Sequence, residues 1–180
     1  DGLVRRAFGR GRPISALRRA QHPAHIATLT DMFAACGHEY HLSLDLKDPA
    51  SGQVVVDVVA EAAPDLLPRL WLCSPVWQSL LPLRGTGARL VDSTRLQRLD
   101  EGPERRAADL AANGIDAINL HHSDWNGGLV TLFHRFERVA FGWDMQFEHV
   151  LTSGLLMGLD GVYCDSPDRM MAVMEEVHRD

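Results

Sequence analysis

Hydrophobic and polar positions follow a repeating order along most of the chain. Short apolar runs, typical of strands buried in a sheet, alternate with segments whose apolar residues have helical spacing. From residue 41 onward, strand and helix follow one another six times, at roughly 20 to 28 residues per unit. The predicted strands cover residues 41–46, 69–74, 88–93, 115–120, 138–143 and 161–164.

Helical segments precede and separate these strands, and several carry capping residues. Segment 54–63, which lies just before Pro64, is predicted as a helix, although its valine run is also compatible with a strand. The candidate N-caps are Thr28 or Thr30, Asn126, Asp144 and Ser166. The predicted helices cover residues 28–37, 54–63, 75–83, 102–114, 126–136, 144–158 and 166–178.

Repeated strand–helix units indicate an α/β fold with parallel strands and crossover helices. A doubly wound open sheet and a (β/α)8 barrel both fit, and neither common nucleotide-binding glycine motif occurs. Polar residues gather at the C-terminal ends of the predicted strands, which is where barrel enzymes place their active sites. These residues are Asp45, Lys47, Ser74, Asp92, Ser93, Asn119, His121, His122, Trp143, Asp144 and Asp165.

Composition narrows the class of protein and its partners. The chain of 180 residues is long enough for a single domain over residues 1–180, and its net charge of -6 argues against a nucleic-acid partner. No apolar run approaches the length of a membrane span, so no transmembrane segment is predicted. Cys36, Cys73 and Cys164 are widely spaced, so we expect buried free thiols, which slightly favour a reducing compartment such as the cytoplasm.

Two short segments carry a resemblance to one family of enzymes. Residues 42–47 read LSLDLK, a strand with an acid and an amine on one face, and residues 158–167 read GLDGVYCDSP. The first is similar to the hydrophobic-Glu-hydrophobic-Lys strand of glycerophosphodiester phosphodiesterases, with Asp45 in place of Glu. The second resembles that family's closing signature, Gly-Val-Asp-Gly-Ile-x-Thr-Asp-x-Pro. Trp143 matches a Trp that precedes this signature, whereas Asp144 replaces the family's Thr.

The resemblance implies a fold and an activity. The fold is a (β/α)8 TIM barrel, here incomplete, with about six βα units and the first two strands missing. The activity is metal-dependent hydrolysis of a small-molecule glycerophosphodiester to glycerol 3-phosphate and an alcohol. Asp45 would bind a divalent cation, Ca²⁺ or Mg²⁺, Lys47 would face the phosphate, and Trp143 would line the substrate entrance. An exposed Asp45–Lys47 ion pair without function is the competing interpretation.

The family's acid–base chemistry uses a histidine in a His-Arg-Gly motif and another in a His-Asp motif. DGLVRR, residues 1–6, resembles the stretch that directly follows the second histidine. We therefore expect no catalytic residue within this chain, an N-terminally truncated barrel, and no activity from the chain alone. A degenerate barrel that binds phosphate esters without catalysis remains an alternative, as does an unrelated barrel enzyme acting on a sugar phosphate.

His121 and His122 lie at the end of a predicted strand and are candidates for metal binding or acid–base catalysis. Because neighbouring residues on a strand face opposite ways, at most one of the two is expected to point inward. Asp92, Ser93 and Ser74 are candidates for phosphate contact, and Asp165 with Pro167 is expected to form a structural turn.

Overall fold

The computed structural model describes residues 25–179; the predicted irregular segment 1–24 and Asp180 lie outside the described residues. Six parallel strands form one sheet, and each pairs with the next strand in the sequence. The strands are β1 (Leu42–Asp45), β2 (Leu70–Ser74), β3 (Arg89–Thr94), β4 (Ala117–His121), β5 (Val139–Trp143) and β6 (Gly161–Val162).

The strand order decides between the two predicted architectures. A doubly wound sheet reverses its strand order at a switch point, whereas here the order is strictly sequential. The sheet also curls, which brings its two ends together: the Ser43 hydroxyl on β1 lies 2.9 Å from the Tyr163 hydroxyl just after β6. Within the described residues β1 and β6 do not pair with each other. The incomplete (β/α)8 barrel is therefore confirmed.

Helices cover the outside of this sheet. The valine-rich segment is helical, and the capping predictions at Thr28 and Asn126 are confirmed, since each side chain accepts a hydrogen bond from a backbone N–H of its helix. Segment 75–83 forms a 3-10 helix, Trp77–Leu83. Further 3-10 turns that the pattern did not predict are Pro64–Arg69, Leu96–Arg98 and His122–Asp124. The α-helices are α1 (Leu29–Cys36), α2 (Ser51–Ala62), α3 (Pro103–Ala112), α4 (Gly127–Arg135), α5 (Glu148–Leu156) and α6 (Pro167–Val177).

Asp144 is not the N-cap of the helix that follows β5, so this prediction is wrong. The helix begins at Glu148, with Phe147 as its N-cap. Asp144 instead adopts a left-handed backbone conformation with φ of 61°, which is unusual for a residue other than glycine. Its carboxylate bonds to His121, on the strand before, rather than to its own helix.

Alternation along each strand separates two apolar layers. Leu42, Leu44 and Leu46 join the large core between sheet and helices, as predicted. A smaller cluster fills the inside of the curl with Cys73, Val91, Ala117 and Phe141. The three cysteines are free, but Cys36 is exposed, so the expectation of buried thiols is wrong there. Among residues 25–179, no helix combines the length and apolar character that crossing a bilayer requires.

Candidate functional site

A cavity of about 630 Å³ opens inside the curl, at the C-terminal ends of the strands. Its lining follows from the period of two along each strand, because inward-facing residues recur at every second position. Asp45 lies two residues after Ser43, and Tyr163 is followed at the same spacing by Asp165. The lining residues are Ser43, Asp45, Lys47, Cys73, Ser93, Asn119, Trp143, Asp144, Gln146, Tyr163 and Asp165.

Asp45 and Lys47 lie together at the end of β1, on the cavity side. The Lys47 ammonium donates a hydrogen bond of 3.1 Å to the Asp45 carboxylate. The Asp45 side chain is 58% exposed and the Lys47 side chain is 74% exposed, so the pair is accessible from the cavity mouth and is held by little besides its own bond. Both residues are therefore available to a ligand that enters the cavity.

Two of the residues considered for phosphate contact face away from the cavity. Ser74 points outward, where its hydroxyl bonds within the turn to Ser79 and the carbonyl oxygen of Val76. Asp92 is fully buried against α3, where Arg106 donates a hydrogen bond of 2.6 Å to it. Only Ser93 lines the cavity. The predicted contact of Ser74 and Asp92 with phosphate is therefore wrong, because alternation along the strands places both side chains on the outer face of the sheet.

Asn119 contributes a buried amide to the cavity wall. The residue is only 5% exposed, and its side-chain N–H donates a hydrogen bond of 3.2 Å to the Ser93 hydroxyl. Its side-chain oxygen is buried with no hydrogen-bond partner among the described residues. Because buried polar groups are nearly always satisfied, this oxygen is an unfilled acceptor at a wall of the cavity.

The floor of the cavity is polar but uncharged at neutral pH. The Ser43 hydroxyl lies 3.3 Å from the Cys73 sulfur and 2.9 Å from the Tyr163 hydroxyl. Burial raises the pKa of the Cys73 thiol to about 11, and burial likewise raises the pKa of Tyr163 to about 12. The floor therefore offers neutral hydrogen-bonding groups and no thiolate nucleophile.

The rim above β4 and β5 carries a compact group of polar and aromatic side chains. His121 Nε2 lies 3.1 Å from Asp144 Oδ2, and the His121 ring packs edge-on against Trp143 with centroids 4.6 Å apart. His122 lies beside His121, with ring centroids 4.3 Å apart. The two rings lie side by side because β4 ends at His121 and a 3-10 turn redirects His122, and neither histidine lines the cavity, so the expectation that at most one points inward is not contradicted.

An ion pair between Arg95 and Asp124 lies next to this rim. Arg95 donates hydrogen bonds of 2.6 Å and 3.1 Å to the two carboxylate oxygens of Asp124, and its guanidinium lies 5.8 Å from the Trp143 ring centroid. Burial tends to raise the pKa of Asp124, but the bonds from Arg95 and from the Leu96 N–H outweigh it, so the pKa is lowered. Asp124 is thus ionised and neutralises Arg95.

The protonation states on the rim follow from its contacts. Hydrogen bonds from His121 and then Gln146 lower the pKa of Asp144, which is ionised at neutral pH. Burial, followed by the proximity of His121, lowers the pKa of His122, which favours its neutral form. One nitrogen of each histidine and one oxygen of Asp144 lie within 4.8 Å of one another.

Sequence reasoning missed the contribution of Gln146 and Tyr163. Gln146 joins the two rim loops, since its amide donates to the Asp165 carboxylate and its oxygen accepts the Asp165 N–H, each at 3.0 Å. Tyr163 was detectable, because it lies two residues before Asp165 on the same inward face. Nothing in the local pattern marks Gln146, which reaches the site from a loop.

A second cavity, of about 410 Å³, lies on the open side of the curl between β1 and β6. Trp71 and Phe141 line it with aromatic rings 5.0 Å apart, and the Trp71 indole N–H donates to His41 across a distance of 3.0 Å. In the described part of the chain, the inner surface between β1 and β6 is therefore largely apolar, and no strand closes the gap between them.

Fold and cavity together define an incomplete barrel with a polar site at the C-terminal end of its parallel strands. No family model and no curated protein matches the chain. Among solved structures, it is similar to a protein of Galdieria sulphuraria assigned as a glycerophosphodiester phosphodiesterase, with a TM-score of 0.67 and 14% identity over 93% of this chain and 71% of that one.

Two further structures belong to the same group. A protein of Agrobacterium tumefaciens assigned as a glycerophosphoryl diester phosphodiesterase aligns with a TM-score of 0.65 and 19% identity, over 77% of this chain and 59% of that one. A phosphodiesterase of Oleispira antarctica, in complex with the product sn-glycerol-3-phosphate, aligns with a TM-score of 0.64 and 14% identity, over 82% and 60%.

These similarities confirm the resemblance read from the sequence at the level of fold. The neighbours are assigned as phosphodiesterases of the family that residues 42–47 and 158–167 resemble. The chain spans about 59% of the length of the Agrobacterium protein.

Proposed function

We propose that the protein containing this chain hydrolyses glycerophosphodiesters to glycerol 3-phosphate and an alcohol, with the help of a divalent cation. The observation that carries this proposal is the pairing of a carboxylate and an amine, Asp45 and Lys47, at the mouth of a cavity at the C-terminal end of parallel strands. Its support is the fold shared with phosphodiesterases, one of which was solved with sn-glycerol-3-phosphate bound.

Lys47 and Asn119 suit the charge and polarity of the substrate. A phosphodiester carries a negative charge that grows on its oxygens as the attacking group arrives, and the Lys47 ammonium stabilises it. Asn119 offers its unpaired side-chain oxygen as an acceptor for a glycerol hydroxyl. Trp143 supplies an apolar wall for the carbon skeleton. These three side chains bind and orient the substrate.

Asp45 is the residue proposed to hold the cation. Its carboxylate faces the cavity, which Asp165 also lines, and carboxylate oxygens are the hard ligands that Ca²⁺ and Mg²⁺ prefer. These donors fit such an ion in chemical type, although among the described residues no two further acidic or histidine ligands converge on Asp45. A bound cation supplies electrostatic stabilisation of the phosphoryl oxygens. With Asp45 engaged by such an ion, Lys47 would be free of this hydrogen bond and available to the phosphate.

The general acid and base are proposed to come from outside residues 25–179. Catalysis then requires the complete cavity wall, and the gap between β1 and β6 leaves it open in the described part. We expect the 180 residues on their own to be inactive and to self-associate, because an unpaired strand edge favours association.

A second candidate function is phosphate-ester binding without catalysis. The observation in its favour is the Asp45–Lys47 bond itself, in which each charge is already satisfied by the other. A barrel that has lost its chemistry could keep such a pair as a binding feature. This candidate predicts binding of glycerol 3-phosphate without turnover of the diester.

The experiment measures release of glycerol 3-phosphate from glycerophosphocholine and glycerophosphoethanolamine by the complete protein, with and without Ca²⁺ or Mg²⁺. We expect metal-dependent turnover, and a loss of about a hundredfold or more in Asp45→Asn, since a bound metal supplies several kcal/mol to the transition state. Asp57→Asn is the control, because Asp57 is an exposed acid on α2 whose one hydrogen-bond partner among residues 25–179 is Gln53. Equal activity of the two variants contradicts the proposal. Binding without turnover favours the second candidate.

A further inference from the structure

The rim above β4 and β5 brings together side chains of a different chemistry from the carboxylates around Asp45. His121 ends β4, His122 begins the turn that follows, and Asp144 follows the last residue of β5. Two imidazoles and one carboxylate are ligands of borderline transition metals rather than of Ca²⁺ or Mg²⁺. Among residues 25–179 this is the one place where three such groups converge.

We propose that His121, His122 and Asp144 form a second cation site, selective for Zn²⁺-class divalent metals and separate from the cation site proposed at Asp45. Three protein ligands with an open position are the usual arrangement of an accessible zinc site. Asp144 lines the cavity, so the open coordination position would be reached from it.

The spacing of the donor atoms supports this site. Tetrahedral ligands at zinc distances lie about 3.3 Å from one another. His121 Nε2 and Asp144 Oδ2 are already 3.1 Å apart, and all three donor atoms lie within 4.8 Å. Asp144 is 48% exposed and His122 is partly exposed, so a metal needs only rotations of these two side chains, which lie outside the core, to bring the set together.

Ser123 gives His121 a second hydrogen-bonding state suited to metal binding. In the present state the Ser123 backbone N–H donates to His121 Nδ1 at 3.2 Å, which leaves the proton on Nε2, directed at Asp144. The Ser123 hydroxyl also lies 2.8 Å from Nδ1 and can accept a proton from it. In that second tautomer the Nε2 lone pair is free for a metal, and the hydroxyl orients the ring.

The charges around the site permit a cation. Arg95 lies near the rim, with its guanidinium 5.8 Å from the Trp143 ring centroid, and its charge is neutralised by two hydrogen bonds to Asp124. Within the described part of the chain, the Asp144 carboxylate has only neutral amide and imidazole partners in its hydrogen bonds, so it offers a cation a negative charge. Its left-handed backbone, with φ of 61°, aims the carboxylate back at His121 instead of at the helix that follows. Strained backbone of this kind concentrates at functional sites.

A second histidine–aspartate pair in the same molecule provides a matched control. His134 Nε2 lies 2.8 Å from Asp160 Oδ2, with both side chains about as exposed as Asp144. No third ligand joins them among the described residues, and Asp160 also accepts the backbone N–H of Ala140. Hydrogen bonding between histidine and aspartate is thus common to both places, whereas the third ligand is particular to the rim.

The experiment titrates the metal-free 180-residue chain with Co²⁺ and then displaces the Co²⁺ with Zn²⁺. We expect a visible d–d band that saturates at one Co²⁺ per chain. His122→Ala and Asp144→Asn each weaken binding by about a hundredfold or more, and Ser123→Ala by about tenfold, as removal of an orienting partner does. His134→Ala and Asp45→Asn keep the band. Circular dichroism confirms that each variant is folded, and Asp144→Asn preserves side-chain size should His122→Ala not fold.

Two results overturn the proposal. One is the absence of a Co²⁺ band in the folded chain. The other is a band of unchanged affinity in the folded double variant His122→Ala/Asp144→Asn, which places the metal elsewhere. Retention of the band in Asp45→Asn together with loss of phosphodiester hydrolysis in the complete protein would separate this site from the proposed catalytic one.

Discussion

Asp45, at the end of β1, and Asp92, within β3, each pair with one basic residue, yet they lie on opposite faces of the same sheet. Asp45 faces the cavity, and its bond to Lys47 is exposed to solvent. Asp92 faces α3 and is completely buried with Arg106, whose side chain is 19% exposed. An acidic residue at the end of a strand is therefore not enough to mark a site.

The two pairs also differ in what they do for stability. Removing one member of a buried pair leaves an uncompensated charge in the core, whereas an exposed pair is replaced by water at little loss. The remaining Asp92 oxygen is buried without a hydrogen-bond partner among the described residues, which adds to the strain on this pair. We therefore expect the outer pair, Asp92 and Arg106, to govern folding stability, and the inner pair, Asp45 and Lys47, to govern ligand binding.

Arg106→Met tests the outer pair most directly. We expect the free energy of unfolding to fall by about 3–5 kcal/mol at neutral pH, because the Asp92 carboxylate is left alone in the core. Urea denaturation followed by circular dichroism measures it. Arg105→Met is the control on the same helix, since its bonds to Asp109 and Glu101 are exposed, and a change below about 1 kcal/mol is expected there. Similar losses in the two variants would remove the distinction.

The pH dependence of stability provides a second test of the outer pair. Burial raises the pKa of Asp92 from its ordinary 3.8 to about 6, although Arg106 opposes the shift. Between these two values the folded chain holds a proton that the unfolded chain releases. Stability is therefore greater below the lower value and declines as the pH rises, by about 3 kcal/mol in total from this group.

The measurement is urea denaturation at a series of pH values between those limits. Asp92→Asn should lose this component of the pH profile, because the side chain no longer titrates. A wild-type profile that matches that of Asp92→Asn over the same range would show that Asp92 stays charged in the fold.

Lys47→Ala tests the inner pair and has the smallest expected effect on stability. The free energy of unfolding should change by less than about 1 kcal/mol, since the bond to Asp45 is exposed. In the complete protein kcat/KM for a glycerophosphodiester should fall about tenfold or more, as expected for loss of one charge-assisted contact to phosphate. Unchanged kinetics with a clear loss of stability would reverse the roles assigned to the two pairs.

Alternation made much of the inner face predictable. The assignment of Leu42, Leu44 and Leu46 to one side and Asp45 to the other holds in the structure, because the period of two is a local property of the strand. The same rule, applied to Asp92 and Ser93, would have separated the outward acid from the inward hydroxyl. Grouping residues only by their position at strand ends led to the wrong expectation for Asp92.

Residues after the ends of strands escaped prediction for a different reason. Asp144 has the chemistry of a helix cap, but β5 continues into a left-handed residue that directs the carboxylate at His121. His122 follows a strand residue, yet a turn brings it beside His121 rather than opposite it. These outcomes depend on backbone angles in loops, which side-chain type specifies only weakly.

The sequence by itself determined the order of strands and helices and which residues lie on each face of β1. It also determined the resemblance of segments 42–47 and 158–167 to one enzyme family. Those properties are local, since each depends on the spacing and type of nearby residues. Only the tertiary structure decided that the sheet curls in sequential order, that Asn119 and Tyr163 share a cavity with Asp45, and that His121 meets Asp144. Each of these contacts joins residues far apart in the chain, and their geometry is set by how strands and helices pack together.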